Sequence, residues 1–444
     1  MAGLAVLILA AGRGTRMKSQ RPKALHEIAG LPMLAYPLAL AEGLAAEPVV
    51  VVGSGGEQVQ QAFAGRARFA TQSELKGTGH AAQTGLAALG AGDEVLILYA
   101  DCPLLRAESL AQLRALKQQS GAALALLSSP EPLPGRVVRN AAGAVERIVE
   151  ITDATPEEQR IQEGNTGVYL VEREFLAEAL AELDSGNRQS ELYLTDIVAA
   201  ARRRGLQVEA LRLDDAEEAL GVNDRAELAR ACAVQRRRNV ARWLAEGVSF
   251  TDPATAYVDT QAELGPDCVI GPGVVIAGAS RLGRGVQVKA HSVIEDSLLE
   301  DGVVVGPCAH LRPGATLRRG ARVGNFVEVK NSELGPGVKA DHLAYIGDAD
   351  VGANSSFGCG AITVNYDWEQ KHRTRVGAGV RIGCNANLIA PVALADGAYV
   401  AAGATVTKPV PGGAIAVSSG RQRNIEGFGK RRAAKARARD AERG

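Results

Sequence analysis

A chain of 444 residues exceeds what one typical core supports, so two domains or an extended repeat are expected. With 50 basic and 50 acidic residues it has no net charge to draw the whole molecule to nucleic acid or to a membrane surface, and 46% hydrophobic with 23% charged residues excludes a disordered chain. Aromatic content of only 4% beside 51 glycines points to a turn-rich, repetitive half. The six cysteines show no Cys-x2-Cys pairing, the N-terminus carries no basic leader, and no apolar run reaches spanning length. The expectation is a reduced cytoplasmic protein with neither nucleic acid nor membrane as partner.

The apolar run 4–9 reads as a buried strand. It breaks into Ala10-Ala11-Gly12-Arg13-Gly14-Thr15-Arg16-Met17, with Pro22-Lys23 close behind. Glycines at a strand's end let backbone N–H groups approach an anion without Cβ interference. Arg16 and Lys23 add fixed positive charge, which suits triphosphate chemistry, where positioning and charge neutralisation are most of the catalysis. The spacing is not that of a Walker A loop. Further strands are expected at 49–52, 95–99 and 122–127, with helices at 78–89 and 107–119. Strands alternating with helices predict βαβ units and a mostly parallel sheet through about residue 222. Ligands of such sheets collect at the carboxyl ends of strands, where Gly12 and Asp101 fall. Asp101 before Pro103 could instead serve as a helix cap.

Residues 223–247 read as one connecting helix, with Leu228, Cys232, Val240, Trp243 and Leu244 available for an apolar stripe. Its run Arg236-Arg237-Arg238 fits a solvated or interdomain face better than a nucleic-acid patch. Thereafter the period becomes six. Leu264, Ile270, Ile276, Leu282, Val288 and Ile294 form one series; Leu299, Val305, Leu311, Leu317, Val323 and Val329 a second; Val376, Ile382, Leu388, Leu394, Val400 and Val406 a third. Such hexads predict a β-helix whose repeated aliphatics stack inward, coil on coil. The register slips between Ile346 and Val351 and breaks between Thr363 and Val376, which expels a loop carrying Asn365, Tyr366 and Lys371. Expelled loops often serve a site or a neighbouring subunit. The basic residues of 428–444 read as a solvated, partly disordered tail.

The opening loop, with Gln72, Gly77-Thr78-Gly79-His80, Tyr99-Ala100-Asp101, Asn165-Thr166-Gly167 and Gly221-Val222-Asn223, is joined by a helix to hexapeptide repeats. In this it closely resembles the bacterial bifunctional N-acetylglucosamine-1-phosphate uridyltransferases/glucosamine-1-phosphate N-acetyltransferases. The resemblance runs from about residue 4 to about residue 427. It implies a Rossmann-like α/β nucleotidyltransferase domain over 1–222, a linker helix over 223–247 and a left-handed parallel β-helix over 248–427, assembled as a homotrimer. It also implies acetylation of glucosamine-1-phosphate from acetyl-CoA, then transfer of uridylyl from UTP with release of pyrophosphate. In the first half it implies Mg²⁺ on Asp101 and Asn223, with Arg16 and Lys23 stabilising charge. Nucleotide contacts fall on Leu9, Ala10, Ala11, Gly12, Gln72, Gly77, Thr78 and Tyr99; sugar-phosphate contacts on Gly135, Glu150 and Asn165. Ala100 departs from the glycine common in the family.

In the second half the resemblance implies His342 as general base, a role suited to a side chain that titrates near neutrality. Arg312, Lys330, Tyr345 and Ser356 would hold glucosamine-1-phosphate; Cys359, Asn365, Tyr366, Lys371, Cys384, Ala402 and Arg421 would face acetyl-CoA. Ser356 stands where asparagine is frequent, and Ser419 where a coenzyme-facing arginine is frequent; Arg421 or Arg423 is expected to replace that charge. Apart from the resemblance, Cys359 and Cys384 read better as small buried hydrophobes. Two other readings stay open: a pyrophosphorylase for another nucleotide or sugar, and a β-helix that only trimerises.

Overall fold

The computed structural model describes residues 3–44 and 47–418, together with 427, 429, 431, 434 and 435. The chain forms two compact units: Met1–Glu246 with Pro253–Ala262 and Ile276–Ala279, and Gly247–Asp252 with Glu263–Val275 and Ser280–Gly444.

The first unit is built on a nine-stranded sheet. Its main path runs Val208–Arg212, Leu124–Ser129, Gly164–Glu172, Glu94–Tyr99, Leu4–Ala10, Val49–Gly53 and Arg68–Gln72. Leu4–Ala10 pairs in parallel with both neighbours, while Gly164–Glu172 runs antiparallel to all three of its own. Both faces are covered, which is why the strands read as continuous apolar runs. Along the first strand Ala5, Leu7 and Leu9 enter one core, and Val6 and Ile8 the other. The strand expected at 122–127 lies at Leu124–Ser129, because Gly121 closes the preceding helix in a left-handed conformation and Ala122 and Ala123 carry the chain back to the sheet.

The helix expected over 223–247 spans Arg225–Ala245. Asp224 caps it, accepting from the amides of Ala226 and Glu227 and leaving Asn223 outside the helix. Ala231 and Val234 pack with Ile28, Met33, Leu104 and Val222, and the helix is part of the first unit. Val240 and Trp243 are buried; Leu244, expected in the stripe, is exposed, and Asn239 fills the face instead, donating to the Val258 carbonyl at 3.0 Å. The arginine run is spent internally. Arg236 stacks on the Tyr257 ring at 4.1 Å, Arg237 pairs with Glu217 at 2.5 Å, and Arg238 donates to the Leu104 carbonyl at 2.6 Å.

The second unit is a parallel β-helix, in keeping with the left-handed form that the resemblance implies. One ladder climbs from Ser249–Phe250 to Ile415–Ala416 and another from Glu263–Leu264 to Val392–Leu394. A third includes Val293–Glu295, His310–Leu311, Glu328–Lys330, Tyr345–Gly347, Ile362–Val364 and Asn387–Ile389. Every aliphatic of the three hexad series is buried. The slip between Ile346 and Val351 is a corner shortened by one residue, with Asp348 in the left-handed region at φ 50°. The same device recurs at Asp296 and Asn331. Short polar side chains tolerate that conformation, which lets a corner close without glycine.

Candidate functional sites

In the first unit a cleft of about 1010 Å³ opens at the carboxyl ends of the parallel strands. Leu9, Ala10, Ala11, Gly12, Lys23, Gln72, Gly77, Thr78, Tyr99, Asp101 and Asn223 all line it, as the sequence places them. Gly14 turns left-handed at φ 59°, and a Cβ there would stand 2.8 Å from the Cβ of Lys23. Glycine is what lets Lys23 fold in against the loop. Its Nζ donates to Asp101 Oδ2 at 2.6 Å and to Asn223 Oδ1 at 3.2 Å. The Val222 amide donates to the Asp101 carbonyl at 2.8 Å, fixing the segment that carries Asn223 beside the strand end. Asp101 does not cap a helix: the next one starts at Ala107 with Arg106 at its N-cap.

A hard cation fits this pair. One carboxylate and one amide oxygen converge on a single point, now taken by an ammonium, and Mg²⁺ needs few protein oxygens because it retains water. Among the described residues no group of three His, Cys, Asp or Glu side chains forms a fuller cage.

Gln72 is buried and donates to the Gly77 carbonyl at 3.2 Å, at the mouth of the helix Thr78–Ala88. Thr78 Oγ1 accepts from the Leu194 amide. Burial pushes the Tyr99 phenol far up, so it acts as a neutral wall. Gly135, Glu150 and Asn165 are outside the cleft lining but adjoin one another: Gly135 pairs with Glu150 across a hairpin, and a Cβ on Gly135 would meet the Cβ of Asn165 at 3.2 Å. Asn165 donates to the Tyr169 hydroxyl at 2.8 Å. Gly167, at φ 82°, lies against the Tyr99 ring and links this cluster to the cleft wall. Burial raises the Glu150 carboxyl above the ordinary range, and Asp196 and Asp153 add to the effect. Arg16 is exposed and outside the lining, which includes Arg13 and Arg21. Arg13 and Arg16 both stand in the motif, but loop phase, not composition, decides which arginine turns inward. Glu191 also lines the cleft, and no sequence signal marked it.

In the second unit one ladder carries Lys330 and Tyr345, with Arg312 and Asn365 just beyond its strands. Glu328 pairs in register with Tyr345, and Lys330 with Gly347. Arg312 donates to Glu328 Oε1 at 2.8 Å. The neighbouring Lys371 ammonium holds Lys330 below the usual lysine range. Asn365 directs its amide nitrogen to Asp348 Oδ2 and toward the Tyr345 hydroxyl at 3.5 Å. His342 Nδ1 lies 3.0 Å from Asn325 Oδ1. An amide oxygen only accepts, so this contact calls for a proton on Nδ1 and leaves Nε2 outside it.

The broken register between Thr363 and Val376 is indeed a loop. Tyr366 and Lys371 bridge across it, Asp367 accepts from the Glu369 and Gln370 amides, and Trp368 is 87% exposed at its tip. Cys359, Cys384 and Ala402 stack on successive coils: Phe357 pairs with Ile382 and Ile382 with Val400, each two residues upstream. Both thiols are exposed, so the reading as buried hydrophobes fails. Ser356 Oγ is 3.5 Å from the Arg381 guanidinium. Ser419, Arg421 and Arg423 lie outside the described residues.

These features define a nucleotidyltransferase unit, and the family model of the MobA-like NTP transferase domain matches residues 6–193. Over nearly its whole length the chain is 44% identical to the bifunctional protein GlmU of Pelobacter propionicus, covering 96% of this chain and 98% of that one. It is also 44% identical to that of Trichlorobacter lovleyi, with 96% and 98% covered, and 39% identical to that of Streptococcus agalactiae, with 96% and 97% covered. The chain belongs to the bifunctional GlmU family. It is an enzyme with uridylyltransferase and acetyltransferase activities, acting in the synthesis of UDP-N-acetylglucosamine.

Proposed function

We propose that the second unit acetylates glucosamine-1-phosphate from acetyl-CoA and that the first transfers uridylyl from UTP to the N-acetylated product, releasing pyrophosphate. The observation that carries the first-unit reading is the convergence of Lys23 Nζ, Asp101 and Asn223 at the cleft's strand-end wall. Asp101 and Asn223 would hold Mg²⁺, which when bound supplies positive charge to the triphosphate. Lys23 and the cleft-facing Arg13 and Arg21 neutralise the remaining phosphate charge, while Gly12 and its neighbours bring backbone amides to the polyphosphate. Gln72 and Gly77 meet the base, and Glu150 and Asn165 the sugar. The sugar phosphate then displaces pyrophosphate in line, with no covalent enzyme intermediate.

In the second unit Arg312 and Lys330 bind the acceptor phosphate, and His342 Nε2 takes the proton as the amine attacks the thioester. Support comes from the Nδ1 contact to Asn325, which orients the ring and leaves Nε2 free of that contact. Tyr366, Lys371 and the column Cys359–Cys384–Ala402 offer a surface for the coenzyme. The exposed Trp368, Phe326 and Leu343 favour assembly of the β-helix as a homotrimer. The six free cysteines, and the absence among the described residues of a helix long and apolar enough to cross a membrane, accord with a cytoplasmic enzyme.

The test is acetyl-CoA-dependent thiol release with glucosamine-1-phosphate, comparing the parent with His342→Ala. Acetyl transfer is expected to collapse in the variant, while uridylyl transfer to N-acetylglucosamine-1-phosphate persists. Thiol release undiminished in His342→Ala would remove His342 as the base, and none from the parent would reduce the β-helix to a scaffold.

A further inference from the structure

Asp348 belongs to no role assigned so far, yet it is 7% exposed and faces four polar side chains. Oδ1 accepts from Asn331 Nδ2 at 2.5 Å and Oδ2 accepts from Asn365 Nδ2. Lys330 and Lys371 stand near enough for their charges to favour its ionised form, alongside the two amide hydrogen bonds. Its backbone is pinned as well: its amide donates to the Lys330 carbonyl at 3.0 Å and its carbonyl accepts from the Thr374 amide at 3.0 Å. The residue thus ties the strand bearing Lys330 to both ends of the expelled loop.

An ionised carboxylate can only accept hydrogen bonds. Both asparagines must therefore present nitrogen to it. For Asn365 the second N–H points toward the Tyr345 hydroxyl, so the carboxamide oxygen lies on the opposite side. A neutral side chain at 348 would not enforce that choice, because an amide can offer either end. We propose that Asp348 is a positioning residue of acetyl transfer: it holds the Asn365 carboxamide nitrogen-inward, so that its oxygen accepts a hydrogen bond from the acceptor's amine. Directing one N–H of the amine to Asn365 aims the nitrogen lone pair at the thioester carbonyl; His342 removes a proton as the C–N bond forms, and the C–S bond then breaks, the coenzyme sulfur leaving as the thiol with that proton. Asp348 also offsets the repulsion between Lys330 and Lys371. This rests on the acetyl-transfer reading given above.

Asp348→Asn is the cleanest probe. Asparagine keeps the size and tolerates the left-handed corner, so the variant alters charge and hydrogen-bond polarity alone. Acetyl transfer and uridylyl transfer are measured on the same full-length preparation, the second as a check on the protein's integrity. The expected result is a kcat for acetyl transfer about 100-fold lower, as for a misaligned reacting group, with KM for acetyl-CoA within about threefold and uridylyl transfer unchanged. The exchange variant Asp348→Asn/Asn365→Asp restores one carboxylate–amide pair at constant charge and still turns an oxygen outward. It is expected to recover about tenfold of the lost kcat. Asp348→Asn within about threefold of the parent, a parallel loss of both activities, or no recovery in the exchange variant would each overturn the assignment. Absence of acetyl transfer in the parent itself would instead bring down the underlying reading, and the proposal with it.

Discussion

Replacing Lys23 by methionine removes the ammonium but keeps most of the side chain's length, and its effect on stability is set by what Lys23 now holds. The ion pair with Asp101 is 2.6 Å long, between side chains 15% and 24% exposed. Unit charges at that separation attract by about 6 kcal/mol at an effective dielectric of about 20, and by about 1.6 kcal/mol in bulk water. Desolvation of both ions opposes this, so the net loss on stranding Asp101 is about 2–3 kcal/mol. For a unit of this size that lowers Tm by about 4–10 °C. Calorimetry on the full chain reads it, the relevant transition being the one that UTP raises in the parent. Without divalent cation the variant should melt below the parent by that margin. With saturating Mg²⁺ the gap should narrow, because a cation held by Asp101 and Asn223 replaces the missing charge and need not displace an ammonium. An equal deficit with and without Mg²⁺, or no deficit in either, would refute the reasoning.

Two further outcomes concern the sugar-side cluster. Gly167→Ala imposes a side chain at φ 82° with its Cβ 2.7 Å from the Tyr99 ring, so it should cost about 1–3 kcal/mol and depress uridylyl transfer without touching acetyl transfer; a chemical-denaturant midpoint equal to the parent's would contradict this. Glu150 titrates higher when folded than when unfolded, chiefly through burial. The folded state therefore binds its proton more tightly, and the associated stability is full below the ordinary glutamate range and declines as pH rises through the raised value. Glu150→Gln should abolish that decline, so parent and variant Tm values should diverge as pH rises above the ordinary glutamate range, with the variant higher at the upper end; parallel profiles would argue against it.

The hexad register was legible because the β-helix repeats one inward position many times, and each repeat reinforces the others. The strand-end motifs were legible because Gly12, Asp101 and Asn223 each stand just beyond an element with a clear period. What sequence could not supply was side-chain direction within a loop. Arg13 rather than Arg16 faces the cleft, since Thr15–Met17 winds into a single 3-10 turn that sends Arg16 to solvent. Nor could it show that Lys23 clasps the two expected metal ligands, a contact between residues far apart in the chain. Asp348 was visible only as a slip in the count. Its chemistry depends on which residues the shortened corner brings to it from neighbouring coils.

That coiled construction also imposes a unit of length. Adjacent parallel strands lie about 4.8 Å apart, so groups at matching positions, such as Glu328 and Tyr345, are separated by one step of a fixed scale. A bound molecule spanning the ladder is gauged in whole steps, and an acceptor longer by less than one step cannot be met by moving a residue to the next coil. Finer adjustment is left to rotamers and to the expelled loop, the part of this gauge not bound to its graduations.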